Sequence, residues 1–447
     1  MGLSGRTSAH RVLAACAVLS AIAATAAVTG PAQAAEPAPA QRWIVQLKDT
    51  VTDPGKVAEE QTKGLARDGR SRLRHVYNAA ADGLVLKGYA LEATAEQIAS
   101  IRADPQVAAV ERDEQGSVPE PVAGPAPKPP QQRTGRPGQG GVPHAGDPLL
   151  AGQWGLFRIG AVAGGERGFT LPSPARVGVA VLDTGIDVNH PDLRVAGSAN
   201  FSGAATADDF YGHGTHVAGI VQALNNSVGA EGAAPGTRLW NVKVIKDDGS
   251  LLNSDLIAGL NWLVQNAKAH NIRVANLSLR TPDSLLLHQA IRLADRAGVT
   301  LVAAAGNDGT TAPNYPAAYP EAISVAATTV FNQKAGFSNH GASWVDIAAP
   351  GAGILSTLPT HPTPPGEDYG FEDGTSMATP FVSAATALCL TSGHCRGAVG
   401  DIRRTLGRDS LPIAGTGTEY RYGLVQVACY WQTALRCSRT NTADKVS

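Results

Sequence analysis

Apolar residues occur in short, separated runs over the first part of this 447-residue chain. Between residues 42 and 113, runs rich in β-branched and aromatic residues alternate with polar stretches whose few apolar residues have helical spacing. We interpret this part as a small α+β unit. Its predicted strands are 43–47, 75–77, 83–89 and 107–111, and its predicted helices are 53–66 and 95–103.

From about residue 150 the apolar runs are continuous, and helical segments separate them. Continuous apolar strands between helices are typical of a parallel sheet that helices cover on both faces. We therefore predict an α/β domain with a doubly wound, mostly parallel sheet, whose functional residues gather at the carboxyl ends of the strands. The predicted strands are 177–182, 238–244, 274–279, 299–304, 322–327 and 344–348, and the predicted helices are 215–223, 254–268 and 285–297.

A further helix is predicted around Ser376. From Met377 the residues are small and apolar, with helical spacing. Pro380 fits an α-helix only in its first turn, so the helix should begin a few residues upstream and place Ser376 at its N-terminus. Backbone N–H groups at a helix N-terminus stabilise negative charge, so Ser376 could be a nucleophile. The simpler interpretation is an N-cap serine.

Charge and composition limit the possible partners and divide the chain. The net charge of −1 gives no reason to expect nucleic acid or an anionic membrane as a partner. Residues 117–148 are rich in Pro, Gly and Gln without periodicity, as in a flexible linker or, alternatively, a proline-rich ligand. We expect four segments, namely 1–34, 35–116, the linker 117–148, and 149–447.

The N-terminal residues have the pattern of a secretory signal peptide. Arg6 and Arg11 precede an apolar run over 12–28, and Ala32-Gln33-Ala34 matches an A-x-A cleavage site. We expect cleavage after Ala34 and a secreted, extracellular protein without membrane contact. A membrane anchor is the alternative, but the apolar run is short for a membrane span.

The cysteines predict disulfides. Of five cysteines, Cys16 leaves with the signal peptide and four remain in an oxidising compartment. Three pairings are possible, and the pairs nearest in sequence, Cys389–Cys395 and Cys429–Cys437, are our prediction. A metal site is the alternative, but the spacings do not form C-x-x-C pairs.

Four short motifs resemble those of a known family. VGVAVLDTGID at 177–187, GHGTHVAG at 212–219, AGND at 305–308 and GTSMATP at 374–380 resemble the aspartate, histidine, oxyanion-asparagine and serine motifs of the subtilases. Subtilases are the subtilisin-like serine proteases, and the order Asp…His…Ser is that of subtilisin. The resemblance extends from residue 42 to about 428.

The resemblance implies a catalytic triad and an oxyanion site. Ser376 would be the nucleophile, His213 the general base, and Asp183 the group that orients His213. Asn307 would donate its side-chain N–H to the oxyanion, together with the backbone N–H of Ser376.

Each of these residues also has a simpler interpretation. Asp183 could be a turn aspartate, and Asn307 could be a turn asparagine beside glycines. His213 and His216 could bind a metal from one helical face, but no Glu follows His213, so the H-E-x-x-H pattern is absent.

By the same resemblance, two segments and one asparagine should bind the peptide substrate. Glycine is usual at the position of Arg280, and a long cationic side chain there predicts a preference for acidic residues before the cut. The alternative is that Arg280 turns into solvent. The implied substrate-binding residues are Ser278, Leu279 and Arg280, then Ala304, Ala305 and Gly306, with Asn314 near the base of the main specificity pocket.

The small N-terminal unit resembles the inhibitory propeptide of subtilases. The resemblance is carried by WIVQLKD at 43–49 and VAAVERD at 107–113. It implies that residues 35–116 act as a folding chaperone and as a temporary intramolecular inhibitor. From its residues alone, the unit could be any ferredoxin-like or binding module.

Residues 224–230 resemble the calcium loop of the family. Oxygen ligands supplied by a loop suit Ca²⁺, and the alternative is a loop without metal. The glutamine that the family supplies from the mature N-terminus has no clear counterpart, because Gln153 is offset. The implied ligands are the backbone carbonyls of Leu224, Val228 and Ala230, the Asn226 side chain and the Asp192 carboxylate.

Together these observations predict a secreted, monomeric serine endopeptidase that cleaves protein or peptide substrates, needs no cofactor for catalysis, and activates itself from a precursor. A non-catalytic binding protein on this scaffold would lack a catalytic residue, and none is missing. An esterase of the α/β-hydrolase type would need G-x-S-x-G, whereas residues 374–378 are GTSMA.

Overall fold

The computed structural model describes residues 39–63, 65, 71–118, 147–162 and 177–430. The predicted signal peptide, most of the predicted linker, and the side chains of the predicted Cys429–Cys437 pair lie outside the described residues. No helix in these ranges combines the length and the apolar character that a membrane span needs.

The N-terminal unit has a four-stranded antiparallel sheet in the order β2-β5-β1-β6. Its elements are β1 (Gln41–Leu47), α1 (Pro54–Lys63), β2 (Arg72–Tyr77), β3 (Ala80–Ala81), β4 (Leu84–Val85), β5 (Gly88–Ala93), α2 (Ala95–Arg102), β6 (Val107–Arg112) and β7 (Gln115–Ser117). The order is ferredoxin-like, as predicted. The strand predicted at 83–89 is instead divided between β4 and β5.

Both faces of this sheet are apolar. Trp43, Val45 and Leu47 alternate along β1 and pack into a core of the N-terminal unit itself, because successive side chains in a strand point to opposite faces. On the other face, Ile44 and Tyr77 join a core that belongs to the larger domain. The N-terminal unit is therefore packed on its neighbour through buried apolar contacts.

The main sheet of the larger domain has seven strands, all parallel, in the order β15-β14-β13-β12-β8-β10-β9. The domain's strands are β8 (Gly178–Asp183), β9 (Val195–Asn200), β10 (Arg238–Lys243), β11 (Ser250–Leu252), β12 (Ile272–Leu277), β13 (Thr300–Ala304), β14 (Ala322–Thr328), β15 (Ile347–Pro350), β16 (Ile354–Thr357) and β17 (Tyr369–Glu372). Its helices are α3 (Trp154–Arg158), α4 (His213–Gln222), α5 (Asn253–His270), α6 (Leu285–Arg296), α7 (Thr375–Thr391) and α8 (Val399–Asp409), and short 3₁₀ helices cover Leu150–Gly152 and Ala428–Tyr430.

Helices cover the parallel sheet on both faces, as the continuous apolar strands predict. In β8, Val179 and Val181 pack with α4 and α7, whereas Ala180 and Leu182 pack with α5 and α6. The doubly wound α/β fold is confirmed. The last predicted strand, 344–348, begins later, at Ile347.

Candidate active site

Two neighbouring parallel strands position the side chains of Asp183 and Ser278. β8 and β12 pair in parallel and end at Asp183 and Leu277, so Asp183 and Ser278 lie at the same carboxyl edge of the sheet. Asp183 is buried. Its Oδ1 accepts hydrogen bonds from the backbone N–H of Thr184 at 2.7 Å and from the imidazole of His213 at 2.7 Å.

His213 is the first residue of α4, and its ring orientation is fixed by Asp183. A carboxylate only accepts hydrogen bonds, so Nδ1 of His213 is the donor and Nε2 is left as the basic nitrogen. Nε2 is buried and has no hydrogen-bond partner among the described residues. The arrangement has the geometry required of a general base that a carboxylate orients.

The electrostatic surroundings of His213 favour its protonated form. Burial lowers the pKa of the imidazole, but the negative charge and hydrogen bond of Asp183, with the charges of Glu372 and Asp209, outweigh burial and raise the pKa to about 9. The neutral form that can accept a proton is therefore populated on the alkaline side of the ordinary histidine range.

Ser376 is the second residue of α7 and is 1% exposed. Its hydroxyl donates to the Ser278 carbonyl at 3.4 Å. Helices α4 and α7 pack against each other, and His213 and Ser376 lie in the first turns of these two helices. The prediction that Ser376 begins a helix is confirmed.

Pro380 lies deeper in α7 than predicted. It is the sixth residue of the helix, beyond the first turn, and it lacks the N–H that would bond the carbonyl four residues earlier. That carbonyl belongs to Ser376, and the Ser278 hydroxyl donates to it at 2.8 Å. Ser278 therefore supplies the missing hydrogen bond, which is why the helix tolerates the proline.

Asn307 is anchored at the start of α7. Its Oδ1 accepts from the Thr375 backbone N–H at 2.9 Å and from the Thr375 hydroxyl at 2.8 Å. Because the carbonyl end of the amide is held in this way, the NH₂ end is the donor that faces away from Thr375. The side chain thus stands beside the nucleophile with a fixed direction.

His216 is a structural histidine. Its Nε2 bonds the carbonyls of Ile354 at 3.0 Å and Gly370 at 3.1 Å, and burial lowers its pKa. Nε2 of His216 is therefore held by two backbone carbonyls, whereas His213 is held by the Asp183 carboxylate. The described residues contain no cluster of three or more His, Cys, Asp or Glu side chains suited to a metal.

Asp209 was missed by the sequence analysis. It is buried and accepts from the Thr184 hydroxyl, the Gly212 N–H, and both the N–H and hydroxyl of Thr215, all at 2.7–2.8 Å. These bonds tie the loop after β8 to the start of α4. An acidic residue shortly before the GHGTH motif was the available signal.

A strand of the N-terminal unit lies in a cleft beside these groups. β7 pairs antiparallel with β11, and on its other side Ser117 exchanges backbone hydrogen bonds with Arg280 at 2.9 and 3.0 Å. On the β11 side, the Val118 N–H donates to the carbonyl of Gly249, which precedes β11, at 3.3 Å. The segment predicted to bind extended peptide therefore binds the chain's own residues 115–118.

Carboxylates of the N-terminal unit also cap two helices of the larger domain. Asp113 accepts from the Ser254 N–H at 2.9 Å and hydroxyl at 2.6 Å at the start of α5. Glu111 accepts from the Ser284 hydroxyl at 2.7 Å and from the Leu286 N–H at 3.3 Å at the start of α6. Negative charge is stabilised at helix N-termini, so these contacts hold β7 in register.

Arg280 does not carry a free charge. Its guanidinium pairs with Asp308 Oδ1 at 3.0 Å, and the two side chains are 40% and 50% exposed. Beside it, a cavity of about 440 Å³ reaches from the β7 strand to Asn314, whose amide donates to the Ala304 carbonyl at 3.3 Å. The predicted flanking residues Leu279, Ala304 and Ala305 are buried.

Asp192 lies beside the predicted calcium loop. Asp192 accepts from the Ala230 N–H at 2.9 Å, and the Asn226 amide donates to the Pro191 carbonyl at 3.4 Å. Burial, and then the charge of Asp147, raise the pKa of Asp192 to about 6. A second oxygen of Asp192 is buried without a partner in the described part of the chain, so the donor set fits a cation.

Gln153 is not available to this loop. Its Oε1 accepts from the Glu231 N–H at 2.8 Å, and its Nε2 donates to the Glu231 carbonyl at 2.8 Å.

One predicted disulfide is present, since Cys389 and Cys395 are joined with an S–S distance of 2.03 Å. The other lies outside the described residues.

A serine that begins a helix, beside a histidine held by a buried aspartate at the carboxyl edge of a parallel sheet, defines a serine hydrolase. The family model described as "Subtilase family" matches residues 175–424, and this chain belongs to that family. A second model, "Peptidase inhibitor I9", matches residues 33–117. The chain is therefore a subtilisin-like serine endopeptidase with an inhibitor-type propeptide.

Relatives support the same assignment. "Subtilisin BL" of Lederbergia lenta is 46% identical over 237 residues, 53% of this chain and 82% of the relative. "Subtilisin" of Bacillus pumilus is 41% identical over 281 residues, 61% of this chain and 96% of the relative. "Subtilisin E" of Bacillus subtilis (strain 168) is 41% identical over 281 residues, 61% of this chain and 70% of the relative.

Proposed function

We propose that this chain is a secreted serine endopeptidase, made as a precursor that cleaves itself. Ser376 attacks the peptide carbonyl, His213 transfers the proton, and Asp183 orients His213. Asn307 and the Ser376 backbone N–H stabilise the oxyanion.

One observation supports this proposal above the others. An extended segment, β7, is bound as an added strand on the backbone of Arg280, two residues from Ser278, whose hydroxyl contacts Ser376. Strand addition is a common way for a protein to bind peptide. Because the pairing is antiparallel, a peptide that continues beyond Ser117 would run from Arg280 towards Ser278.

The reaction follows from the groups present. The Ser376 hydroxyl turns from the Ser278 carbonyl to His213 Nε2 and loses its proton to that nitrogen as its oxygen bonds the substrate carbonyl carbon. The tetrahedral intermediate collapses, the C–N bond breaks, and the proton on His213 passes to the leaving amine. Water then repeats the sequence on the acyl-enzyme and releases the acid with free Ser376.

The same reasoning assigns roles to the segments of the chain. We assign residues 1–34 to a signal peptide, 35–116 to the inhibitor, 117–148 to a linker and 149–447 to a monomeric peptidase that acts on protein or peptide substrates. The Cys389–Cys395 disulfide supports a location outside the reducing cytosol.

We also propose that a structural Ca²⁺ binds at the loop predicted for it. The ligands would be Asp192, Asn226 and the carbonyls of Leu224, Val228 and Ala230. A metal bound only by the folded state would stabilise the fold by mass action, without entering the chemistry.

Replacing Ser376 tests the proposed function. Ser376→Ala should leave the full-length chain as an uncut precursor and abolish peptide hydrolysis, because one nucleophile serves both reactions. The products are read by mass spectrometry of the chain termini. Ser383→Ala is the matched control, since Ser383 is another buried serine of α7 that bonds Asn276 at 2.8 Å and should allow processing. Release of the N-terminal segment from Ser376→Ala would show that self-cleavage is wrong.

A further inference from the structure

Lys243 is a lysine that is completely buried in the larger domain, at the end of β10. Its side chain is 0% exposed. Because β10 pairs in parallel with β8, Lys243 lies opposite Asp183 in the register of the sheet. Lysine is almost never fully buried unless its charge is paired, and the reaction described above gives this residue no role. Its position beside the active site therefore needs an explanation.

The ammonium group of Lys243 uses each of its three N–H donors. Nζ donates to the carbonyl of Thr184, to the carbonyl of Asp208 at 2.9 Å, and to Oδ1 of Asp247 at 2.8 Å. A buried charge is costly unless it is hydrogen-bonded and paired. Both conditions are met here, so the ammonium is accommodated in its charged form.

These bonds join the two segments that carry the Asp183–His213 pair. Thr184 follows Asp183 directly, and Asp208 belongs to the loop that leads into His213 at the start of α4. The segments are in close contact, because a Cβ on Gly185 would lie 2.6 Å from the Asp208 carbonyl oxygen. Both carbonyls accept from one nitrogen, so without the ammonium they would repel each other across this contact.

The charge of Lys243 also lies close to the acidic groups of the site. The turn that it holds contains Asp183 and Thr184, and the Thr184 hydroxyl donates to the buried Asp209 at 2.8 Å. A nearby positive charge disfavours a protonated imidazole, so Lys243 should counter part of the effect of the carboxylates on His213. The titratable groups that act on His213 are the carboxylates of Asp183, Glu372 and Asp209 and the imidazole of His216.

We propose that Lys243 is a positioning residue of the reaction, which holds the turn after Asp183 against the loop before His213 and so fixes the direction of their hydrogen bond. The inference rests on the proposed function and adds a residue that acts through Asp183 and His213. Through Asp247, the same ammonium is bonded to the segment that continues into Gly249 and β11, which bind β7. Lys243 thus connects the catalytic pair to one wall of the peptide-binding cleft.

The test compares Lys243→Met with the parent enzyme on one peptide substrate, per mole of mature chain. Methionine is unbranched and fills irregular space, but it supplies neither the N–H donors nor the charge. We expect kcat to fall by about tenfold to hundredfold and KM to change by less than about threefold, because misplaced catalytic groups slow the reaction more than they weaken binding. The pH midpoint of kcat/KM should rise by roughly 0.5–1, since the lost positive charge no longer disfavours protonated His213.

Two further variants separate charge from folding. Lys243→Gln keeps two N–H donors without the charge, so it should raise the midpoint as Lys243→Met does, and it decides the matter if Lys243→Met does not fold. Lys246→Met is the matched control, because it removes a half-buried lysine three positions further along the chain and should change neither kcat nor the midpoint. Melting curves in the Ser376→Ala chain show which variants are folded, and NMR titration of the His213 ring in that chain gives the midpoint without activity.

A purely structural role would lower stability without moving the midpoint. If Lys243→Met and Lys243→Gln melt at lower temperature but keep the kcat and the midpoint of the parent, the inference is wrong. It is also wrong if Lys246→Met shifts the midpoint as far as Lys243→Met does, because the effect would then come from total charge. A parent enzyme that hydrolyses no peptide would instead refute the proposed function, and this inference with it.

Discussion

At the scale of single residues, the site depends on side chains whose partners lie far apart in sequence. Ser278 compensates for the N–H that Pro380 lacks by donating to the Ser376 carbonyl. The sequence contains both Pro380 and Ser278 but does not reveal that Ser278 supplies the hydrogen bond that Pro380 cannot make. The reason is that 98 residues separate Ser278 from Ser376. The motifs predicted that Asp183 and His213 meet, as their hydrogen bond of 2.7 Å shows, whereas the hydrogen bonds of Ser278 required the fold.

The pKa of His213 predicts an alkaline pH profile. The base must be neutral to accept the Ser376 proton, and the negative charges of Asp183, Glu372 and Asp209 hold the imidazole protonated to higher pH. We therefore expect kcat/KM to rise with pH, with a midpoint above the ordinary histidine value of about 6.5. Initial rates on one peptide between pH 5 and 10 give the midpoint.

Glu372→Gln separates this electrostatic cause from others. Removal of one negative charge should lower the midpoint by roughly 0.1–0.7, while Glu367→Gln, an exposed control, should not move it. An unchanged midpoint in Glu372→Gln, or one at or below 6.5 in the parent, would contradict the prediction.

Arg280 and Asp308 should control charge selection together. The sequence alone predicts that Arg280 favours acidic residues before the cut, but the ion pair with Asp308 neutralises much of its charge. Asp308→Asn should release Arg280 and favour Glu over Gln at the second to fourth positions before the cut. Arg280→Gly should instead favour Lys at the same positions.

The preferences should be small because both side chains are partly exposed. A surface pair contributes roughly 0.2–1 kcal/mol, which corresponds to about fivefold at most in kcat/KM, and the effect should fade with added salt. Matched Glu, Gln and Lys peptides at low salt measure it. Identical selectivity in the parent and both single variants would show that the pair has no part in specificity.

At the scale of elements, the sequence predicted those whose cause is local. The central strands read as continuous apolar runs because both of their faces are buried, and Thr94 begins α2 with a capping box to Gln97 that lies within one turn. β9 was missed because it is an edge strand whose residues are all exposed or half-buried. β7 was missed because its partners, β11 and Arg280, belong to another domain.

The helix caps illustrate the same limit. The N-cap residue of α5, Leu252, provides no side-chain hydrogen bond, and Asp113 of the N-terminal unit accepts one at this end of the helix instead. Asp113 and Ser254 are separated by 141 residues, so local sequence patterns cannot identify Asp113 as the capping residue. The sequence could predict the two units but not the contacts that join them.

Gly116 should be required for inhibition by the N-terminal unit. A Cβ at this position would lie 2.3 Å from the Arg280 carbonyl oxygen, so any side chain forces β7 away from the cleft. Overpacking of this kind costs about 1–3 kcal/mol, and we expect Gly116→Ala to weaken inhibition by about tenfold. The measurement is the inhibition constant of residues 35–118, made separately, against mature enzyme.

Ser117→Ala is the control for this experiment. It keeps the backbone bonds to Arg280 and removes only a side-chain contact of 3.4 Å to the guanidinium, so inhibition should be almost unchanged. If Gly116→Ala inhibits as well as the unmodified fragment, β7 does not hold the inhibitor in the cleft.

At the scale of the whole molecule, two units share one apolar core. Ile44, Tyr77 and Leu86 of the N-terminal unit pack in the same cluster as α5 and α6. The face of the N-terminal sheet that carries Ile44 and Tyr77 is therefore covered by the larger domain of the same chain. Neither unit's own pattern of apolar residues distinguishes this partner from any other protein surface.

Because β7 occupies the cleft, the activity of the enzyme after cleavage should depend on the concentration of the released N-terminal unit. While the chain is uncut, covalent linkage keeps the inhibitor strand beside its own cleft at an effective concentration on the order of millimolar, as is typical of linked modules. Once the connection between residues 118 and 147 is cut, occupancy depends on the actual concentration of the released unit. Freshly processed enzyme should therefore gain activity per molecule when diluted, and the gain should disappear when excess residues 35–118 are added back. Constant specific activity across a thousandfold dilution would contradict this expectation. A rise would mean that dilution on export into a large volume is sufficient to relieve the inhibition.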